Sequence, residues 1–479
     1  MGVAGMTRIA VAVLFGGFLA APSLAADPEP ASRSEVEELR REVSELKALV
    51  EQMRQERAAA QAPVAGSATT GTPAAAATPP VAVVPATAST TEAPKAAAAR
   101  PTGADTPRPG GDVMATASEK PESALHFWGY GELNYNHYIE DPSRTQADLR
   151  RFVIGLSYSF NDRLRFNSEV EWEHAVASAD DQGETEIEQA YLEYAASRNL
   201  MVKGGLFLMP FGFLNEHHEP PVFYGVERNE VETRIIPTTW REGGFALSWA
   251  TDNGITYEAG LTTGFDISKF DDPGFPLASV HQELQLAKAK DLSVYGAINY
   301  RGVPGLTVGG AIFTGNSTQG NAAYNADNTQ PDFSGLNGRV TLWDAHLRWQ
   351  PGRFDLQALY ARGYIGDADR IDNTLLAYNQ ANGASRAFVP SGFYGWYAQA
   401  AYRVWDRNDM HLSPFVRYEY YNTQSSMPTG FLADPANANH VFTGGLNFYP
   451  HPQVVLKADY QRYTDKELSR WDLGLGYMF

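Results

Sequence analysis

The sequence predicts an all-β protein: a 16-stranded antiparallel transmembrane β-barrel, preceded by a short N-terminal coiled coil and a disordered linker. Three observations carry that expectation. From Leu125 onward, short segments alternate polar residues with apolar or aromatic ones at a period of two. The number of such segments, sixteen, is even. Their connections alternate between tight turns and much longer loops, as in barrels with short periplasmic turns and long outer loops. Composition agrees: 43 Gly, 24 Tyr, 24 Phe and 9 Trp suit extended strands, and from Leu125 onward no run is predominantly apolar over the roughly 18 residues of a spanning helix.

Taken in chain order, the first element is a secretory signal peptide, 1–25. Arg8 precedes an apolar run from Ile9 to Leu19, and Ser23 and Ala25 fit a cleavage site before Ala26. The next is a coiled coil, 34–57, in which Val36, Leu39, Val43, Leu46, Val50 and Met53 form a heptad seam. The seam calls for association but leaves open how many chains meet. Residues 58–124 are rich in Ala, Pro and Thr, a composition that buries too little apolar surface to order itself, and they read as a linker. The barrel is expected over 125–479.

The stretch "RLRFNSEVEW" shows the alternation. Leu164, Phe166, Val170 and Trp172 share one side; Arg163, Arg165, Asn167, Glu169 and Glu171 share the other. A charged face opposite an aromatic face fits a strand between water and lipid. The final stretch, Ser469–Phe479, has the same period and is expected to pair with the strand at 125–139, because an open edge in lipid would leave peptide groups unsatisfied. A barrel of this kind implies the outer membrane of a Gram-negative bacterium.

A net charge of −18 argues against nucleic-acid binding. The absence of cysteine excludes disulfides, thiolate metal ligands and a thiol nucleophile. No motif such as G-x-S-x-G stands out, and the chain reads as a non-enzyme with no cofactor. The connection from Pro210 to Thr238 is the longest, and its apolar residues suit a segment packed against the inner wall as a constriction. Its candidate pore residues are Glu216, His217, His218, Glu219, Glu227, Arg228, Glu230, Glu232 and Arg234. Adjacent histidines point apart on most backbones, so no metal is expected at His217–His218. Inward parity adds Arg151, Arg163, Arg165 and Lys203 as pore-lining, anion-contacting candidates.

The runs "DLRRFVIGLSYSFNDRLRFNSEVEW", "IEQAYLEYAASRNLMVKGGLFLMPFGF" and "TTWREGGFALSWATDNGITYEAGLTTG" resemble the phosphate-selective porin O and P family. That resemblance implies a homotrimeric porin passing small hydrophilic solutes or inorganic anions, seated in outer-membrane lipid, with paired arginines at Arg150 and Arg151. The long loop departs from the family's strongest phosphate channels, since it holds no lysine and many glutamates. If the wall arginines govern, a mild preference for anions such as phosphate follows. If the glutamates line the constriction, the pore is general or cation-preferring; an outer-membrane barrel enzyme or a cell-wall tether is the remaining alternative. The expectation carried forward is the mild anion preference.

Overall fold

The computed structural model describes residues 124–176, 182–320 and 330–479. The expected signal peptide, coiled coil and linker (all but its last residue) lie outside the described residues.

The chain forms β1 (Leu125–Tyr138), β2 (Gln146–Ser159), β3 (Leu164–Glu173), β4 (Thr185–Ala195), β5 (Leu200–Leu208), β6 (Arg241–Ala250), β7 (Ile255–Thr262) and β8 (Ser293–Tyr300). It continues through β9 (Leu306–Gly315), β10 (Val340–Trp349), β11 (Phe354–Ile365), β12 (Gly392–Tyr402), β13 (Met410–Ser426), β14 (Ala438–His451), β15 (Val454–Tyr463) and β16 (Arg470–Met478). A three-residue piece, Trp405–Arg407, extends β12 along the same neighbour. Every strand pairs antiparallel with the next. The sheet closes where Tyr130 to Tyr138 of β1 lie opposite Met478 to Arg470 of β16. Gly129 and Phe479 exchange both backbone hydrogen bonds, at 3.1 and 2.8 Å. A closed 16-stranded antiparallel barrel results, and no edge is left open.

Polarity is inverted relative to a water-soluble sheet protein. Facing outward and exposed are Phe127, Ile154, Ile187, Phe245, Leu247, Ile312, Val416, Phe442, Trp471 and Leu473. Facing inward and buried are Glu132, Arg151, Glu171, Arg417, Glu419, Asn447, Lys457, Asp459 and Asp472. An apolar outside with a charged inside is stable only with hydrocarbon around it. The chain is a transmembrane barrel of the Gram-negative outer membrane.

The interior differs from a simple water-filled tube. The long connections fold over and into one end and build an apolar core there: Phe211, Ile235, Trp240, Phe265, Phe270, Leu277, Phe313, Phe333, Ile371, Leu375 and Phe393 belong to it. Trp240 stacks on Phe265 at 5.2 Å and meets Phe313 edge-on at 4.9 Å. Among the described residues two α-helices lie in these connections, α1 (Val231–Arg234) and α2 (Ala368–Asn382). The period-two pattern of residues 125–479 signals neither helix. α2 buries Ala368, Ile371, Asp372 and Leu375 and is ended by Gly383 at φ +62°, which glycine adopts without strain. One strand also starts later than expected. Arg163, expected in β3 by its alternation, sits in the preceding turn, where its N–H donates to Asn161 Oδ1 at 2.9 Å.

Candidate functional site: a loop-narrowed lumen

The connection between β5 and β6 enters the barrel and crosses to the opposite wall. Irregular backbone at this depth needs partners for its peptide groups, and inward side chains of β13 to β15 supply them. Carbonyls come first. Asn447 Nδ2 donates to Phe223 O (3.3 Å), Arg417 Nη1 to Tyr224 O (3.1 Å), and Lys457 Nζ to Gly225 O (2.7 Å). Then the polarity reverses. Val226 N–H donates to Asp459 Oδ2 (2.6 Å) and Glu230 N–H to Glu419 Oε2 (2.7 Å). Cations and amides meet the carbonyls and carboxylates meet the amides, so the wall is matched in sign to the backbone it holds. Arg417 and Glu419 are also joined to each other at 2.7 Å and are almost wholly buried.

The loop's own acids complete the anchoring. Glu227 accepts from Asn136 (3.0 Å) and Asn134 (3.3 Å) of β1. Glu230 pairs with Arg234 and accepts from the Tyr463 hydroxyl. Arg234 lies over the Phe275 ring at 4.2 Å. Glu232 turns back to accept from Phe213 N–H at 2.7 Å, a contact that Gly212, at φ +62°, leaves room for. Burial pushes the Glu232 carboxyl up to about 7.

The paired arginines occupy a β-bulge. Glu132 lies opposite Arg151 and Leu133 opposite Leu149, so Arg150 is the extra residue. Arg151 is buried between Glu132 (2.7 Å) and Glu171 (3.3 Å), so its charge is closed within the wall. Arg228 of the loop donates to the Thr238 and Thr239 hydroxyls.

Open space survives on the other side, against β3 to β8. A cavity of about 250 Å³ there is lined by Glu169, Glu193, Lys203, Glu216, His217, His218, Glu219, Glu258 and Arg301, with Trp128, Tyr191, Phe207 and Trp249. Lys203 pairs with Glu258 at 2.7 Å. Glu258 also accepts from Tyr295 (2.7 Å) and Ser248 (2.6 Å). Along the lower wall Arg165 lies opposite Glu193, and Glu193 opposite Lys203, an alternation of sign. Five glutamates face this cavity against Lys203 and Arg301.

Of the nine loop residues proposed for a constriction, four line the cavity: Glu216, His217, His218 and Glu219. Glu227, Arg228, Glu230, Glu232 and Arg234 hold the loop instead. His218 is buried, with Nδ1 3.1 Å from Asn215 O and Nε2 2.7 Å from the Tyr130 hydroxyl. Burial lowers it to about 3, so it is neutral. Parity counting missed Glu188. A second bulge, where Glu169 faces Gln189 while Val170 faces Ile187, turns Glu188 inward, and it is fully buried.

No family model matches the chain. It is 35% identical over 347 residues to an uncharacterized protein of Aquifex aeolicus, an alignment covering 71% of this chain and 76% of that one. The chain belongs to that protein's family. Among solved structures it is similar to the OmpF of Salmonella typhi in complex with daunomycin (13% identity, TM-score 0.48, 74% of this chain and 97% of that one). It is also similar to the outer membrane channel DcaP of Acinetobacter baumannii (14%, TM-score 0.44, the same coverages). The anion-selective porin of Comamonas acidovorans is a further neighbour (10%, TM-score 0.43, 74% and 99%). The assignment of the barrel stands on the strand pairings themselves.

Proposed function

We propose that the chain is a passive outer-membrane porin for small hydrophilic solutes, and that its narrowed passage mildly prefers cations. A closed barrel with a charged interior suits diffusion of polar solutes. The observation that carries the selectivity is the cavity lining, where glutamates outnumber Lys203 and Arg301. Alternation along Arg165, Glu193, Lys203 and Glu258 keeps the preference mild, since neighbouring charges offset one another.

The anion and phosphate preference that the O and P resemblance implies depends on Arg150, Arg151 and Arg165. Arg151 is closed between two glutamates and Arg165 faces Glu193, which weakens that reading. A barrel enzyme gains no support at this cavity, because its lining serine, Ser248, donates to Glu258 and not to a histidine. The homotrimer belongs to the reading through the same resemblance; sizing in mild detergent checks it, and a monomer would remove it. Planar-bilayer recording tests the channel itself. Stepwise, ohmic conductance from the purified chain is expected, together with swelling of liposomes in small sugars. A barrel that folds but neither conducts nor admits sugars would overturn the reading.

A further inference from the structure

One group of side chains lies apart from the β13–β15 wall that grips the loop. Glu169 of β3, Glu188 of β4 and His218 of the inserted loop bring a ligand atom each to within 4.8 Å of one another, and all three are buried. Glu188 is fully buried, and its Oε1 has no hydrogen-bond partner. Its Oε2 lies 3.4 Å from the Tyr130 hydroxyl and 3.8 Å from His218 Nε2. A buried carboxylate oxygen without a partner is costly unless a cation meets it.

The geometry points to a divalent transition-metal site, of the Zn²⁺ class, formed by Glu169, Glu188 and His218 inside the barrel. The histidine is prepared for it. Asn215 O takes the proton of Nδ1, which leaves the Nε2 lone pair facing the carboxylates, the usual arrangement of a ligating imidazole. The Tyr130 hydroxyl that meets Nε2 at 2.7 Å has a second acceptor in Glu188 Oε2, to which it can turn when a metal arrives. Gln189 donates to Glu169 Oε2 at 2.6 Å and fixes that carboxylate. One imidazole with two carboxylates favours Zn²⁺ and its neighbours over Mg²⁺ or Ca²⁺, which prefer oxygen alone. Glu169 and His218 line the cavity, so water can complete the coordination. A bound ion would tie the loop to the β3–β4 wall, on the side where its backbone is not gripped by β13 to β15.

The full-length barrel, folded in detergent and freed of metal with a chelator, tests this by calorimetric titration with Zn²⁺. One ion per chain is expected, with Mg²⁺ and Ca²⁺ at least about 100-fold weaker, and Co²⁺ giving visible absorption bands of a nitrogen–oxygen site. Glu188→Gln and His218→Gln should each weaken Zn²⁺ at least about 100-fold, while His217→Gln binds as the wild type. Heat-dependent gel mobility confirms that each variant is folded. Absence of stoichiometric Zn²⁺ binding by the folded wild type would overturn the site, as would Zn²⁺ affinity unchanged in Glu188→Gln.

Discussion

The two sides of the barrel interior carry the same kinds of residue and use them differently. On the β13–β15 side, Arg417, Glu419, Asn447, Lys457 and Asp459 are buried and spent on the peptide groups of Phe223 to Glu230. On the β3–β8 side, Glu169, Glu193, Lys203, Glu258 and Arg301 border open space. Beyond those paired within the wall, as Arg151 is, an inward charge therefore has two physical fates. Where a loop backbone lies against it, it becomes a hydrogen-bonding anchor whose field is offset locally. Where water lies against it, it can act on a passing ion. The lumen is lopsided because the loop crosses it and leans on one wall.

The largest effect should follow from breaking an anchor outright. Glu419→Ala leaves the Arg417 guanidinium and the Glu230 N–H without their shared carboxylate, a loss of about 3–5 kcal/mol for a buried pair. The expected outcome is a loop open to protease and a several-fold rise in single-channel conductance. Unchanged conductance with an intact loop would mean the anchoring side does not hold the constriction.

A smaller effect concerns pH. Burial raises the Glu232 carboxyl from its ordinary value to about 7, so the inserted loop is favoured with Glu232 protonated. That contribution is fully present below about pH 4.5 and is lost as pH rises through about 7, and it amounts to at most about 3 kcal/mol. Protease sensitivity of the loop should be greater at pH 8.5 than at pH 6, and Glu232→Gln should flatten the difference. Asp459→Asn, which keeps an acceptor near Val226 N–H but drops the charge, should cost only about 1–2 kcal/mol, seen as a small drop in the temperature at which the gel band shifts. Arg163→Gln, in an exposed turn, should fall within about 0.5 kcal/mol and leave conductance unchanged.

Much of this was readable in the chain. Period-two alternation and turn spacing give the strand count and the closing pair of strands, because a strand between lipid and lumen must alternate. The fate of inward charges was not readable, since it depends on which wall a loop reaches. Loop residues have no period, so nothing local marks Glu227 and Glu230 as anchors and Glu216 as cavity-lining. The core of Phe265, Phe333, Ile371 and Leu375 joins segments far apart in sequence. Glu188 was hidden by a bulge, which reverses parity within β4. "LRR" within β2 could have signalled the other bulge, since strict alternation cannot aim both Arg150 and Arg151 inward.

The division of labour between the two walls is tested most directly by reversal potentials in a KCl gradient at fixed pH. The wild type should select mildly for K⁺. Glu193→Gln with Glu216→Gln should remove that preference or turn it towards Cl⁻, while Asp459→Asn should leave the ratio as it was. Anion selectivity in the wild type, or a double variant that selects as the wild type does, would contradict it.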